Sequence, residues 1–524
     1  MLVGIMHITK HIYGSHNGKY RYLVTPYDTG SEPFLVYTKI NRVWADGDVI
    51  VQIEPDEHST EDKYRSAKLV RRIGSVNSHE AIIVSWIYHY GLELWLKAAS
   101  TPALTDLTKH TDLTKHTDLT TLLTYSVDPD GCTDVDDAFS VRVEDDITTI
   151  YIHIANLAML WSEKLDTRRC FTLYPQIGEP KHMLPENVVE AYSLLSGKVR
   201  NCMTLVLDIN KYGEIKNMTF MQSSIINKKQ MTYGQVDQFI KSGNPYWNQL
   251  KNTITKIRKV HDHFDQVYVD SHIIIETLMI LYNVHAANFL IKNQLLPILR
   301  VHKINKAPIE DITSSVSADL DPIVKKFMNH LDTDVTKHLV PAKYELYDPS
   351  RHDQSHDDLK SKYYGHFTSP LRRLADVYNL WLLMNYIKTE SLIKTDHSIN
   401  DTIATINLVE TQLKKFYRKC RIFTIIKEIQ TSVVENATVY PVFIDNGVLV
   451  CYWPTHEITG KLRLAISDVV NQSSSNPLIV TITQDGHRCI NIDMYRPLQV
   501  KIGIPCRYFP KLIMELQTPT IPVV

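Results

Sequence analysis

The chain has 524 residues, 44% of them apolar, and a net charge of −1. That is apolar mass for roughly two to four packed domains, and too little charge bias for a basic tail or an acidic arm. A locally basic groove stays possible on a neutral protein. Seven scattered cysteines with no C-x-x-C pair fit reduced thiols in a cytoplasmic or other reducing intracellular compartment, not a disulfide frame or a zinc site. The opening MLVGIMHITKHIYG lacks the long apolar core of a signal peptide.

Residues 1–100 read as mostly β: KYRYLVTPYD and DGDVIVQIEP are short β-branched and aromatic runs bounded by Gly, Pro and Asp turns, the spacing of a small barrel. Residues 101–120 hold the repeat TDLTKHTDLTKHTDLT, whose Asp and Lys cancel; a tolerated linker is expected there, ahead of a metal-grabbing tract. Residues 121–430 are mixed α+β. The strands LLTYSV and TTIYIHIA flank an acidic loop, and helices are predicted at 272–291, after TSP at 368–370, and over 405–423. The apolar run at 272–291 carries a glutamate, two histidines and two asparagines, so it reads as a buried helix and not a membrane span. Residues 431–524 return to short strands, again like a small barrel.

The acidic loop is SVDPDGCTDVDDAFSV, residues 126–141. Asp128, Asp134, Asp136 and Asp137 would raise one another's pKa unless a cation compensates, and oxygen-only donors select a hard ion, Mg²⁺ or Mn²⁺. A solvated acidic turn is the plainer alternative, and a calcium loop of the EF-hand type does not match the spacing. In an extended segment Asp134 and Asp136 would share one face and Val135, Asp137 and Phe139 the other. Asp130, beside a glycine, reads as a turn residue.

The second constellation is YYGHFTSPLRRLADVYNLWLL, residues 363–383. Ser369 and Pro370 read as N-cap and first helical residue, which makes Arg372 the third. Two arginines, Arg372 and Arg373, at a helix's positive end are unfavourable unless an anion sits among them, and a phosphodiester suits the guanidinium forks. Pairing of Arg372 with Asp376 would explain one arginine alone. Glu276, Asn283 and Ala287 share a helix face, where a buried glutamate would need a partner. Arg300 and His302 lie on one side of an extended segment, by default an exposed strand. Tyr174, Tyr233 and Tyr364 are core or surface tyrosines by default, or platforms for single-stranded bases.

Together these stretches resemble the RNB family of exoribonucleases. Val127–Ser140 is similar to the signature IDP-x(4-5)-D-x-DDA-x-S, His153–Leu157 to HIADV, Met183–Pro185 to MLP, Arg300–His302 to RVH, and His366–Asp376 to HFTSPIRRY-x-D. The matches keep family order over roughly residues 120–400. The resemblance implies an α+β catalytic RNB domain at 121–430 flanked by OB-type barrels, cold-shock-like at 1–100 and S1-like at 431–524. It implies a hydrolytic 3′-to-5′ exoribonuclease, monomeric and not membrane-bound, that degrades single-stranded RNA to nucleoside 5′-monophosphates with Mg²⁺ or Mn²⁺. By position, Asp128, Asp134, Asp136 and Asp137 would hold metal, with Asp128, Asp136, Arg372 and Tyr233 catalytic. Glu276 would read ribose and Tyr174 would clamp a base, with Arg300, His302, Arg373 and Tyr364 as further substrate contacts. Asn156, Leu374 and Asn379 depart from the pattern, and the second base-clamping aromatic has no assigned residue. A degenerate RNB fold that binds RNA without cutting is the alternative, and a nuclease acting on DNA a third.

Overall fold

The computed structural model describes residues 1–8, 13–27, 31–39, 47–56, 64–99, 116–162, 165–175, 178–261, 268–303, 341–391, 398–429, 433–445, 448–463, 469–472, 479–484, 488–504, 509–510 and 512–516.

Strands β1 (Leu2–Met6), β2 (Ser15–His16), β3 (Lys19–Pro26), β4 (Phe34–Thr38), β5 (Val49–Pro55) and β6 (Arg65–Ser75) hydrogen-bond in the order β1-β5-β6-β4-β3-β2, and β1 also pairs β3, which closes the ladder into a barrel. Alternation decides which side chains fill it: Tyr22 and Val24 of β3 turn inward with Met6, Val36, Val51 and Ile53. Where β1 meets β3, Gly4 faces Pro26, and a Cβ there would sit 2.5 Å from the Thr25 carbonyl oxygen. Only glycine lets the ring close at that point. Helix α1 (His79–His89), capped by the Ser78 hydroxyl, then leads away with Trp86 fully buried.

Residues 105–115 of the hexapeptide repeat lie outside the described residues. Its last part does not continue as linker to residue 120: Thr117–Asp118 form β7, parallel to Ser223 and Ser224. Strands β8 (Thr124–Asp128), β9 (Asp137–Glu144), β10 (Ile147–Ala155), β11 (Val199–Asn210) and β12 (Ile215–Thr232) follow, with short helices α2 (Ala158–Ser162) and α3 (Glu186–Tyr192) inserted after β10. At 18 residues, β12 pairs β11 through Ile226 and β8 from Asn227 onward, so this second ladder also returns on itself.

Against it pack α4 (Tyr233–Lys241), α5 (Pro245–Val260) and α6 (Ser271–Lys292). Helix α6 is apolar nearly all round because it is surrounded. Tyr282 at its centre is fully buried and donates to the Met203 carbonyl at 3.1 Å. Among the described residues it is the one helix long and apolar enough to cross a membrane, and 67% of that apolar stretch is buried inside the protein. The antiparallel pair β13 (Ile298–Val301) and β14 (Lys343–Leu346) and helix α7 (Leu374–Thr389) complete the core.

Helix α8 (Ile399–Ile429), 31 residues long, runs from this core to the C-terminal strands. There β15 (Val433–Asp445), β16 (Val448–Trp453), β17 (Ile458–Arg463), β21 (Leu498–Gly503) and β22 (Ile513–Leu516) form a closed barrel, and β18 (Val469–Gln472), β19 (Ile479–Gln484) and β20 (Arg488–Asp493) a separate sheet. Phe509 stacks on Tyr27 of the first barrel at 4.8 Å under Lys419 of α8, which clasps the two ends of the chain together. The architecture is an α+β centre flanked by OB-like barrels.

Candidate active site

Strand β8 ends at Asp128, whose register partner is Thr232, the last residue of β12. The chain turns at Pro129–Cys132 through Gly131 (φ +76°), with Asp130 exposed, and resumes as β9 at Asp137. Residues 129–136 are not a strand, so the expected alternation fails. Val135 is pinned inward because its N–H donates to the Ser193 hydroxyl at 2.8 Å and its carbonyl accepts from Leu194 at 2.9 Å. Asp137 therefore faces the same cavity as Asp134 and Asp136, not the face opposite.

That cavity, about 790 Å³, is lined by Asp128, Asp134, Asp136, Asp137, Tyr174, Tyr233, Glu276, Tyr364, Arg372 and Arg373. Ten of the twelve predicted site residues thus converge. The exceptions are Arg300 and His302, which do not line it and are not on an exposed strand either. Arg300 makes a bidentate pair with Glu410 (2.9 and 2.7 Å) beneath the Tyr344 ring, and His302 Nδ1 lies 2.7 Å from Asp358. Both are buried and spent on holding β13 to its neighbours.

The arginine turn also differs from expectation. Helix α7 begins at Leu374, not at Pro370, and Arg373 is its N-cap. One distant and one local carboxylate hold Ser369–Arg373 as a turn instead: Asp136 Oδ1 accepts from Leu371 N–H at 2.8 Å, and Asp376 Oδ1 from Ser369 N–H at 2.7 Å. Arg372 Nε lies 3.2 Å from Asp136 Oδ2, and Arg373 donates to Asp376 at 2.8 Å. It is Arg373, not Arg372, that takes Asp376, which offsets the positive helix end. Arg372 remains open to the cavity on one side.

Burial dominates the acids' electrostatics. It lifts Asp136 to about 7 against the pull of Arg372, and Asp128 to about 6 with Asp134 adding repulsion. Asp137 is pushed well above the carboxylate range by burial and then by Asp128 and Asp136. Asp134 accepts from the Tyr174 hydroxyl, and Asp128 Oδ2 is buried without a hydrogen-bond partner. Among the described residues, no three ligating side chains close on a common point. The donor chemistry nevertheless fits a hard divalent cation: all-oxygen, mutually repelling, and with one buried lone-pair site unmet.

Tyr233 follows Thr232 directly and opens α4 behind a Thr232–Gln235 capping box, which fixes its ring near Asp128 and Asp137. Its hydroxyl is pushed up to about 12, by burial and then by those two carboxylates. Glu276 is exposed to the cavity, not buried with Asn283 and Ala287, and Arg258 Nη1 stands 3.7 Å away. Asn283 is buried, donating to the Tyr364 hydroxyl at 3.0 Å and accepting from Phe367 N–H at 2.9 Å, so it braces the wall. Asn379 is likewise structural, bonded to Ile298 and to the His366 carbonyl. Sequence reading missed His272, one helical turn before Glu276, whose ring lies parallel to Tyr233 at 3.9 Å. The i, i+4 spacing was the available signal.

The RNB domain profile matches residues 116–267 and 254–389, just over half of the chain. Ribonuclease R of Mycoplasmopsis pulmonis is 25% identical over 328 residues, covering 52% of this chain and 45% of its own. Among solved structures, apo RNase R of Mycoplasma genitalium superposes with a TM-score of 0.75 at 16% identity, over 98% of this chain and 90% of that one. Yeast Ssd1, described as a pseudonuclease, gives 0.68 at 12% identity, over 100% and 83%. The chain spans less than half the length of the curated relatives it matches. An acidic loop bound to an arginine turn, inside the stretch that the profile covers, makes this chain a member of the RNB domain family.

Proposed function

We propose that the protein is a metal-dependent, hydrolytic 3′-to-5′ exoribonuclease that takes single-stranded RNA to nucleoside 5′-monophosphates. The observation that carries this reading is the contact of one buried carboxylate, Asp136, with both Leu371 N–H and Arg372, because it brings the anionic and cationic halves of the cavity to one point. Relatives whose names are 3′-5′ exoribonuclease and exosome complex exonuclease support it.

Asp128, Asp134, Asp136 and Asp137 would hold Mg²⁺ or Mn²⁺, which when bound supplies Lewis acidity and a water of lowered pKa. Arg372, released from Asp136 onto the scissile phosphate, neutralises charge on its non-bridging oxygens. Asp136, whose Oδ1 stays on Leu371 N–H, would offer Oδ2 to a proton of the attacking water once Arg372 has moved. The new P–O bond forms to that water as the bond to the 3′ oxygen breaks, and solvent reprotonates the departing oxygen. Arg373, tied to Asp376, positions the turn. Glu276 accepts a ribose hydroxyl, and Tyr174, Tyr233 and Tyr364 wall the terminal nucleotide. The flanking barrels, proposed as residues 1–100 and 431–524, guide a single strand inward, and the monomer suffices for this chemistry.

A second reading, RNA binding without cleavage, draws on Asp134 and Asp136 being held by Tyr174 and Arg372. One experiment separates the two: 5′-labelled RNA, RNA blocked at its 3′ end and matched DNA, each incubated with Mg²⁺ or Mn²⁺. The nuclease reading expects stepwise shortening of the unblocked RNA. RNA that is bound but never shortened under either ion leaves the binding module.

A further inference from the structure

Helix α5 carries a buried charge that the chemistry above leaves unused. Arg258 sits in its last turn, is 8% exposed and does not line the cavity. A helix C-terminus favours a cation, but a buried guanidinium is costly unless hydrogen bonds and a counter-charge meet it. Helix α6 supplies both. Arg258 Nη1 donates to the Thr277 hydroxyl at 2.9 Å and stands 3.7 Å from Glu276 Oε2. Thr277 is held in its turn, its hydroxyl donating to the Ile273 carbonyl at 2.7 Å. The guanidinium is thus fixed by one residue of α6 and reaches the carboxylate of the residue before it.

The two ends of that contact lie in different surroundings. Arg258 is inside the protein, whereas the Glu276 side chain is 51% exposed and opens on the cavity that holds the acids. A half-exposed glutamate samples many rotamers unless something holds it. Attraction to a fixed guanidinium narrows its orientations to those that keep Oε2 towards α5. We infer that Arg258 is a positioning residue for sugar discrimination, aiming the Glu276 carboxylate at the 2′-hydroxyl of the bound ribose without touching substrate itself. The assignment rests on the RNA reading above, in which Glu276 accepts a ribose hydroxyl. A 2′-deoxy sugar offers no such donor, so the gain from a well-aimed acceptor goes to RNA alone. A carboxylate left to swing must be ordered on binding and gives part of that gain back. Arg258 therefore acts on the preference for ribose over deoxyribose and takes no part in bond breaking.

The test uses the full-length protein carrying Asp136→Asn, so that substrate is bound and not consumed. Two single-stranded RNAs differ only in having a 2′-hydroxyl or a hydrogen on the 3′-terminal sugar, and the ratio of their Kd values is the readout. Adding Arg258→Met, which keeps an apolar stem and removes the fork, is expected to narrow that ratio roughly fivefold. Arg258→Lys should retain part of it. Because the effect passes through Glu276, Arg258→Met placed on Glu276→Ala should narrow the ratio no further than Glu276→Ala alone. A residue that only supports the fold would lower the unfolding midpoint and weaken both RNAs alike, leaving the ratio as it was. Should Arg258→Met fail to fold, Thr277→Val removes the hydroxyl that tethers the guanidinium and is expected to move the ratio the same way by a smaller factor. An unchanged ratio in the folded variant, or a further loss on top of Glu276→Ala, overturns the positioning role. If Glu276→Ala itself leaves the ratio intact, the ribose contact and the positioning role fall together while RNA binding stands. If the parent binds neither RNA, the RNA reading itself fails with them.

Discussion

Asp136→Asn removes a charge while keeping a shape, and the electrostatics set what should follow for stability. Asp136 is 4% exposed, and burial holds its pKa at about 7 against an ordinary 3.8. Ionised, it is therefore about 4 kcal/mol less favourable in the folded chain than in the unfolded one. The folded protein binds this proton more tightly, so without metal the stability contributed here is greatest at low pH. It falls as pH rises from about 4 to about 7, then stays low. Asparagine is neutral throughout and still accepts from Leu371 N–H. The pull of Arg372 is already contained in that net shift, and its guanidinium, open to solvent on one side, can rehydrate once the charge is gone. The 3–5 kcal/mol typical of breaking a fully buried pair (roughly,) applies when an uncompensated charge stays buried, which is not so here. The expected net effect is stabilisation of about 4 kcal/mol at pH 8 in EDTA, shrinking towards zero near pH 4. Unfolding midpoints of both proteins across that range measure it. A variant that unfolds earlier than wild type at pH 8 in EDTA would refute the claim that burial, and not the arginine, governs this carboxylate.

Three further outcomes follow from the same structure. His153 is fully buried between the Ser140 and Thr204 hydroxyls, and burial holds it at about 3. Its neutral form is what folds, so stability is intact above about 6.5 and is lost as pH falls towards 3, by up to about 5 kcal/mol; His153→Gln should flatten the acid limb of the unfolding profile, and an unaltered limb contradicts this. Arg300→Ala leaves Glu410 without its bidentate partner and should cost about 3–5 kcal/mol with RNA affinity unchanged, whereas lost RNA binding at full stability would restore a substrate role. Glu276→Ala should narrow the preference for RNA over DNA about tenfold; equal narrowing by a distant surface variant would remove the ribose contact.

The barrels, the acidic loop and the order of elements were legible because alternation, turn residues and charge density are local signals. Most of the positions misread have a partner far along the chain. Ser369–Pro370 is a sound helix start by local rules, yet Asp136, some 235 residues earlier, takes the Leu371 N–H and delays α7 to Leu374. Asp137 departs from strict alternation because Ser193 and Leu194 fix Val135 before β9 begins. Arg300 was expected as a substrate contact, but Glu410, 110 residues on, takes its guanidinium. Glu276 looked buried by helix periodicity, but α6 borders a cavity on that side. His272 offered only its i, i+4 spacing to Glu276 as a sequence signal, and its stack on Tyr233, 39 residues earlier, is what the fold adds.

The central proposal is hydrolysis of RNA from its 3′ end, and the most direct measurement is the fate of solvent oxygen. RNA digested by the wild-type protein with Mg²⁺ in H₂¹⁸O should yield nucleoside 5′-monophosphates carrying one ¹⁸O on the phosphate, and Asp136→Asn should yield none. Intact RNA, products lacking the label, or label on fragments cut internally would contradict it.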